Sequence, residues 1–177
     1  MMSPNSFLEK NYFELLGLPQ QYAQDKTQLR ARYIERQAQF HPDKHRDQTP
    51  YEKQWILQVS TMINDAYHCL GQPVQRAKYL LKLKGVVWDK AETFAADREF
   101  LMQQMALREE KEALFQIQDK QALQAFKEKI ETILAQYDHQ LQVALDNTIP
   151  VPIENIKRML LEYQFYEKVL SERVGLL

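Results

Sequence analysis

A single cysteine, Cys69, excludes an intrachain disulfide and any metal site built from four thiolates. It falls between apolar neighbours in a helical pattern, where it reads as a small buried hydrophobe rather than a reactive thiol. Glycine is scarce, with four in 177 residues, and 27% of residues are charged; together these point to an all-α protein. No apolar run reaches the length of a membrane span. The first ten residues hold one lysine and no stretch of signal-peptide length, so a cytoplasmic protein with no membrane association is expected. A net charge of −1 gives no global basic field to recruit nucleic acid. At 45% hydrophobic the chain is too apolar for disorder and long enough for one or two small domains.

Helix punctuation is plentiful. Asn11 with Glu14, and Ser6 with Glu9, each have capping-box spacing, so a first helix over Tyr12–Leu16 has two candidate starts; Gly17 and Pro19 end it. Asp25 with Gln28 caps a second helix, predicted over Thr27–Phe40, on which Leu29, Tyr33 and Phe40 share a core stripe interrupted by Arg36. The guanidinium of Arg36 can stay in water while its stem lies along apolar surface. Thr49, Pro50 and Glu52 are concordant N-cap, N1 and N3 signals for a helix over Pro50–Leu70, and Gly71 stops it. A shorter helix is predicted over Gln75–Lys84.

Between the two long helices stands His41-Pro42-Asp43. Pro42 fixes its own φ, lacks a backbone donor and pushes His41 toward an extended conformation, so the helix before it must end there. Arg30, Arg32 and Arg36, with Lys44, His45 and Arg46, are expected to give this end a positive face. A metal site or acid–base pair from His41, Asp43 and His45 would need convergent partners that the chain does not supply, so no enzyme is expected. Taken alone, Asp43 is a residue that caps local backbone amides in a turn.

Beyond a connector at 86–96, residues 97–177 read as three helices, with breaks near Gln118–Lys120 and Asn147–Pro152. Phe100, Leu107 and Leu114 repeat in heptad register. Leu123, Phe126, Ile130, Ile133, Tyr137, Leu141 and Ala144 form a second stripe, and Ile153, Ile156, Leu160, Tyr163 and Leu170 a third. Three stripes make one bundle core. Leu101, Met102 and Met105 lie across the helix from Phe100, continued by Glu109 and Glu112, and Phe165 points away from its own stripe. Two readings of these residues are open from periodicity: packing against the rest of the protein, or a protein-binding patch with adaptable Met side chains and a carboxylate rim.

The runs Tyr12-Phe13-Glu14-Leu15-Leu16-Gly17-Leu18, His41-Pro42-Asp43-Lys44 and Ile63-Asn64-Asp65-Ala66-Tyr67 resemble a J-domain in order and spacing. The stretch from Arg76 to Gly85, followed by that from Phe100 to Glu110, is similar to the HscB family of iron–sulfur co-chaperones, with no Gly/Phe-rich linker or zinc-binding cysteine repeat after the J-domain. Two departures stand out. Arg36 occupies a position usually apolar in J-domains, and Ile34 and Glu35 occupy positions that are often basic.

The resemblance implies a J-domain helical hairpin module over 1–85 and a C-terminal three-helix bundle over 97–177. It implies that His41, Pro42, Asp43 and Lys44, with Arg30, Arg32 and Arg36, meet a DnaK-like chaperone ATPase (HscA), whose hydrolysis they stimulate. It implies further that Leu101, Met102, Met105, Glu109, Glu112 and Phe165 meet the scaffold protein IscU. The protein would be a monomer without cofactor: ATP and Mg²⁺ belong to the partner, and no iron–sulfur cluster binds this chain. A J-protein serving another client is the alternative.

Overall fold

Most helix boundaries expected from sequence are found, but the helix after Thr49 runs through Gly71 to a C-cap at Gln72, and the next spans Pro73–Leu83 rather than Gln75–Lys84. In the computed structural model, which describes residues 5–45, 47–86, 98–147 and 151–172, helices and turns account for all regular structure. Asn5–Leu8 (α1) is a separate turn, not an extension of the next helix, and its Phe7 ring carries the Lys10 ammonium 4.3 Å above it. Asn11 and Glu14 form a reciprocal capping box that starts Tyr12–Leu16 (α2), and Gly17, at φ 66°, ends it in the left-handed region open to glycine. The Asp25 carboxylate accepts from the Thr27 and Gln28 amides at 2.7 and 3.2 Å and starts Lys26–Phe40 (α3). Thr49 and Glu52 form a second capping box before Pro50–Gly71 (α4), and the Thr49 hydroxyl and amide hold the Glu52 carboxyl below its ordinary range. Pro73–Leu83 (α5) follows at once.

The chain divides into two units, residues 1–86 and 87–177. In the first, α4 packs against α2, α3 and α5. Phe13, Leu16, Ile63, Ala66, Leu70 and Ala77 are all fully buried at its centre. Burying each larger one contributes on the order of 1.5–3 kcal/mol. The tight α4–α5 corner is held by Arg76, buried at 6% exposure. Its Nη1 donates to the Leu70 carbonyl at 2.8 Å, and its guanidinium stacks 4.6 Å over the Tyr22 ring. That bond satisfies one of the carbonyls left open at the end of α4.

The second unit contains Arg98–Ile117 (α6), Lys120–Asp146 (α7) and Ile153–Ser171 (α8). Asp119 caps α7 through Gln121 and Ala122, after Gln118 turns the chain with φ 55°. Leu107 of α6, Phe126 and Ile130 of α7, and Phe165, Tyr166 and Val169 of α8 make one core cluster, with Phe100, Leu114, Ile133 and Tyr137 packed on it. Lys111, 8% exposed, closes it by donating its Nζ to the Val169 carbonyl at 2.8 Å. Two expectations change here. Ile153, placed in the α8 stripe, is 42% exposed as the first residue of its helix. Phe165 is 9% exposed and inside the core. Of the expected connector 86–96, all but Val86 lies outside the described residues.

Candidate functional site

The extended backbone predicted for His41 is present: φ −70° and ψ 126° at the C-cap of α3, followed by a 3₁₀ turn over Pro42–His45. The Lys44 amide donates to the His41 carbonyl at 3.0 Å, and the Asp43 amide donates to His41 Nδ1 at 3.3 Å. The same Nδ1 lies 4.0 Å from Asp43 Oδ2. One nitrogen cannot both accept from an amide and carry a proton for a carboxylate. The shorter contact favours the accepting role, which leaves the imidazole proton on Nε2. Both side chains face solvent, His41 at 52% and Asp43 at 69%. An imidazole N–H and a carboxylate are thus displayed on a short, internally bonded turn. The side chains of Pro42 and His45, and all of Arg46, lie outside the described residues.

What stiffens the turn is a set of residues that sequence reasoning assigned to the core or passed over. Directly behind His41, Phe40 is buried and meets Phe7 (5.0 Å between centroids) and Trp55 (5.8 Å, 82° between planes) edge to face. These arrangements are favoured by the ring quadrupole. Two turns further down α3, Asn64 Oδ1 accepts from the Tyr33 hydroxyl at 3.0 Å and from the Gln37 amide at 2.5 Å, tying α4 to α3. Tyr33 also stacks on Tyr67 at 4.2 Å. The run containing Asn64 and Tyr67 was legible as a motif, but nothing in it identified Tyr33 and Gln37 as the partners across the hairpin.

Among the described residues, the arginines of α3 do not make the single positive face expected of them. At 100° per residue, Arg30 lies about 160° from Arg32 and about 120° from Arg36 around α3. Arg36 turns toward α2, with its Nη2 3.8 Å from where a Cβ on Gly17 would stand and its Nη1 donating to Gln39. Arg32 pairs with Glu35 at 3.0 Å, an exposed contact that a partner's carboxylate can replace at small cost. Ile34 is 55% exposed. It lies about 40° from Arg30, on the side of α3 that continues into His41. Lys44 lies exposed along the loop, its Nζ donating to the Ala38 carbonyl at 2.8 Å.

On the second unit, Leu101, Met102 and Met105 are exposed at 45%, 63% and 61%. They form one stripe of α6 opposite Phe100, Leu107 and Leu114, and the exposed Glu109 continues it. Arg98, which was not singled out from sequence, flanks Met102 in a shallow groove with Glu99, Gln103 and Ala106. Glu112 is exposed and also borders a cleft between α6 and the end of α8, with Arg108, Lys111 and Glu172. Phe165 is separate from the exposed stripe. Its ring packs edge to face on Phe100 at 5.7 Å and is capped by the Arg108 guanidinium at 5.9 Å. The physical reason is that α8 has two buried arcs: Ile156, Leu160 and Tyr163 on one, Phe165 and Val169 on another that meets α6.

Among the described residues no group of three His, Cys, Asp or Glu side chains can hold a metal ion. Cys69 is half-buried, with its thiol pushed up to about 11 by burial, which removes the thiolate needed for reactivity. No described helix is long and apolar enough to cross a membrane.

Comparisons with known proteins agree on both units. The DnaJ domain pattern matches residues 11–79, and the HSCB C-terminal oligomerisation domain pattern matches residues 96–172. A co-chaperone protein HscB of Proteus mirabilis (strain HI4320) is 32% identical over 168 residues, which is 93% of this chain and 97% of that protein. Two solved structures superpose over most of the chain. Chaperone HscB from Vibrio cholerae does so with a TM-score of 0.83 and 34% identity, covering 94% of this chain and 96% of that one. Human co-chaperone HscB gives a TM-score of 0.81 and 25% identity, covering 95% and 82%.

Proposed function

This chain belongs to the HscB family of J-domain co-chaperones, and on that premise we propose that it couples a DnaK-like chaperone ATPase of the HscA kind to an iron–sulfur scaffold client of the IscU kind. In this role it stimulates the chaperone's hydrolysis and delivers the client for cluster assembly and transfer. Residues 1–85 and 97–177 are its two working parts, joined by 86–96. It acts in the cytoplasm as a monomer and is no enzyme: nucleotide chemistry belongs to the partner.

The observation that carries the proposal is the rigid display of His41 and Asp43. The Asp43 carboxylate can take a short, charge-assisted bond from a partner arginine or lysine. Because Phe40, Asn64 and the stacked Tyr33–Tyr67 pair already fix the loop's base, little conformational entropy is lost on docking. Arg30 steers the approach to an acidic surface with the exposed Ile34 adding an apolar contact beside it, and Arg32 adds positive charge from the far side of α3. Docking that favours the partner's hydrolytic state over its resting state is an allosteric coupling, typically worth about 1–3 kcal/mol. The client is held by Leu101, Met102 and Met105, with Glu109 and Glu112 as an acidic rim and Phe165 acting from beneath as support for the helix that presents them.

Steady-state ATPase assays with purified chaperone and client test this directly. His41→Gln and Asp43→Asn should each abolish stimulation with helicity and melting temperature nearly unchanged, since exposed loop substitutions shift stability by under about 0.5 kcal/mol. Undiminished stimulation by both variants refutes the docking mechanism.

A further inference from the structure

In an α-helix each carbonyl accepts from the amide four residues ahead. For Ala38 that amide would belong to residue 42, and residue 42 is proline, which has none. The proline that ends α3 therefore removes the donor of one particular carbonyl, close behind the loop. In the structure that carbonyl has a partner: the Lys44 ammonium donates to it at 2.8 Å. The Lys44 backbone amide meanwhile donates to the His41 carbonyl at 3.0 Å. Lys44 is thus tied to α3 twice, by its backbone and by the tip of its side chain, and the two ties enclose Pro42 and Asp43.

We propose that Lys44 is a positioning residue: its side chain replaces the backbone donor that Pro42 lacks and braces the turn so that Asp43 faces outward. The inference rests on the docking role proposed above and reassigns Lys44 within it, from a residue that touches the chaperone to one that acts through Asp43. Charge favours the arrangement, because a cation at a helix C-terminus lies at the negative end of the helix dipole. Geometry limits the substitutes. An arginine can reach the carbonyl and donate, whereas a methionine of similar length cannot donate at all.

Two measurements separate a brace from a partner contact. In the free protein, NMR should detect a coupling across the hydrogen bond between Lys44 Nζ and the Ala38 carbonyl carbon. That coupling should vanish in Pro42→Ala, where a backbone amide is restored and the helix can run on. In the ATPase assay, Lys44→Met should lower the maximal stimulation by roughly 3-fold, the scale of one exposed charge-assisted bond. The co-chaperone concentration at half effect should barely move, and Lys44→Arg should recover most of the loss. No coupling in the wild-type protein, or an unchanged maximum with a raised half-effect concentration, overturns the brace. Asp43→Asn runs beside them as the control for docking itself. If it stimulates normally, the docking mechanism has failed, and the brace then stands or falls on the coupling alone.

Discussion

Truncating Phe165 to alanine distinguishes a core residue from a binding anchor, and the two roles differ in magnitude as well as kind. The ring is 9% exposed and packed edge to face on Phe100 and Tyr166 at 5.7 and 5.3 Å, in the cluster with Leu107, Phe126, Ile130 and Val169. Phe-to-Ala changes in cores cost about 3–5 kcal/mol in lost transfer energy and cavity. The cluster reaches the surface here, where Arg108 covers the ring, so partial collapse and water entry should place this site near the lower end, about 3 kcal/mol. With a urea dependence of about 2 kcal/mol/M, the transition of the second unit should move down by roughly 1.5 M. Met102→Ala is the matched comparison, because its side chain is 63% exposed and its removal should shift that transition by under about 0.5 kcal/mol in stability terms. Client binding should show the opposite order. Met102→Ala should weaken it by about 1–2 kcal/mol, as a surface hot spot does, whereas folded Phe165→Ala, measured by calorimetry well below its transition, should lose less. A Phe165→Ala protein that unfolds with the wild type yet fails to bind the client would falsify the assignment of Phe165 to the core.

Two further outcomes are expected. The Cys69 thiol, at about 11 against an ordinary 9.0, should alkylate at pH 8 on the order of 100-fold more slowly than a free thiol; folding favours the neutral form, so this group's contribution to stability is complete below about pH 9 and is lost as pH rises toward 11, and rapid alkylation of the native protein would contradict the burial. Residues 1–86 should fold alone, since α2 to α5 close a core of their own, and should retain weak chaperone stimulation without enhancement by the client; an unfolded fragment in circular dichroism refutes the division.

Much of this protein is local, and the local part was legible. Asn11 with Glu14, Asp25 with Thr27 and Gln28, and Thr49 with Glu52 cap helices through contacts two or three residues long, so the residues that decide them stand side by side in the chain. The His41-Pro42-Asp43 break follows from proline's fixed φ and missing donor, and the opposition of Met102 and Met105 to Leu107 follows from 3.6 residues per turn. Periodicity ranks the sides of one helix, but it does not say how many neighbours that helix has. The helix α8 meets both α6 and α7, which gave it a second buried arc and took Phe165 inside. Nor does it say which polar side chains meet across a hairpin. That Asn64 receives Tyr33 and Gln37 from 31 and 27 residues away depends on where packing sets two backbones relative to each other, whereas Lys44 reaches back only six residues to Ala38. Helix caps, the break at Pro42 and most apolar stripes were therefore legible through interactions between near neighbours, while the ties between α3 and α4 behind the loop and the inward side of Phe165 were decided only when distant helices came into contact.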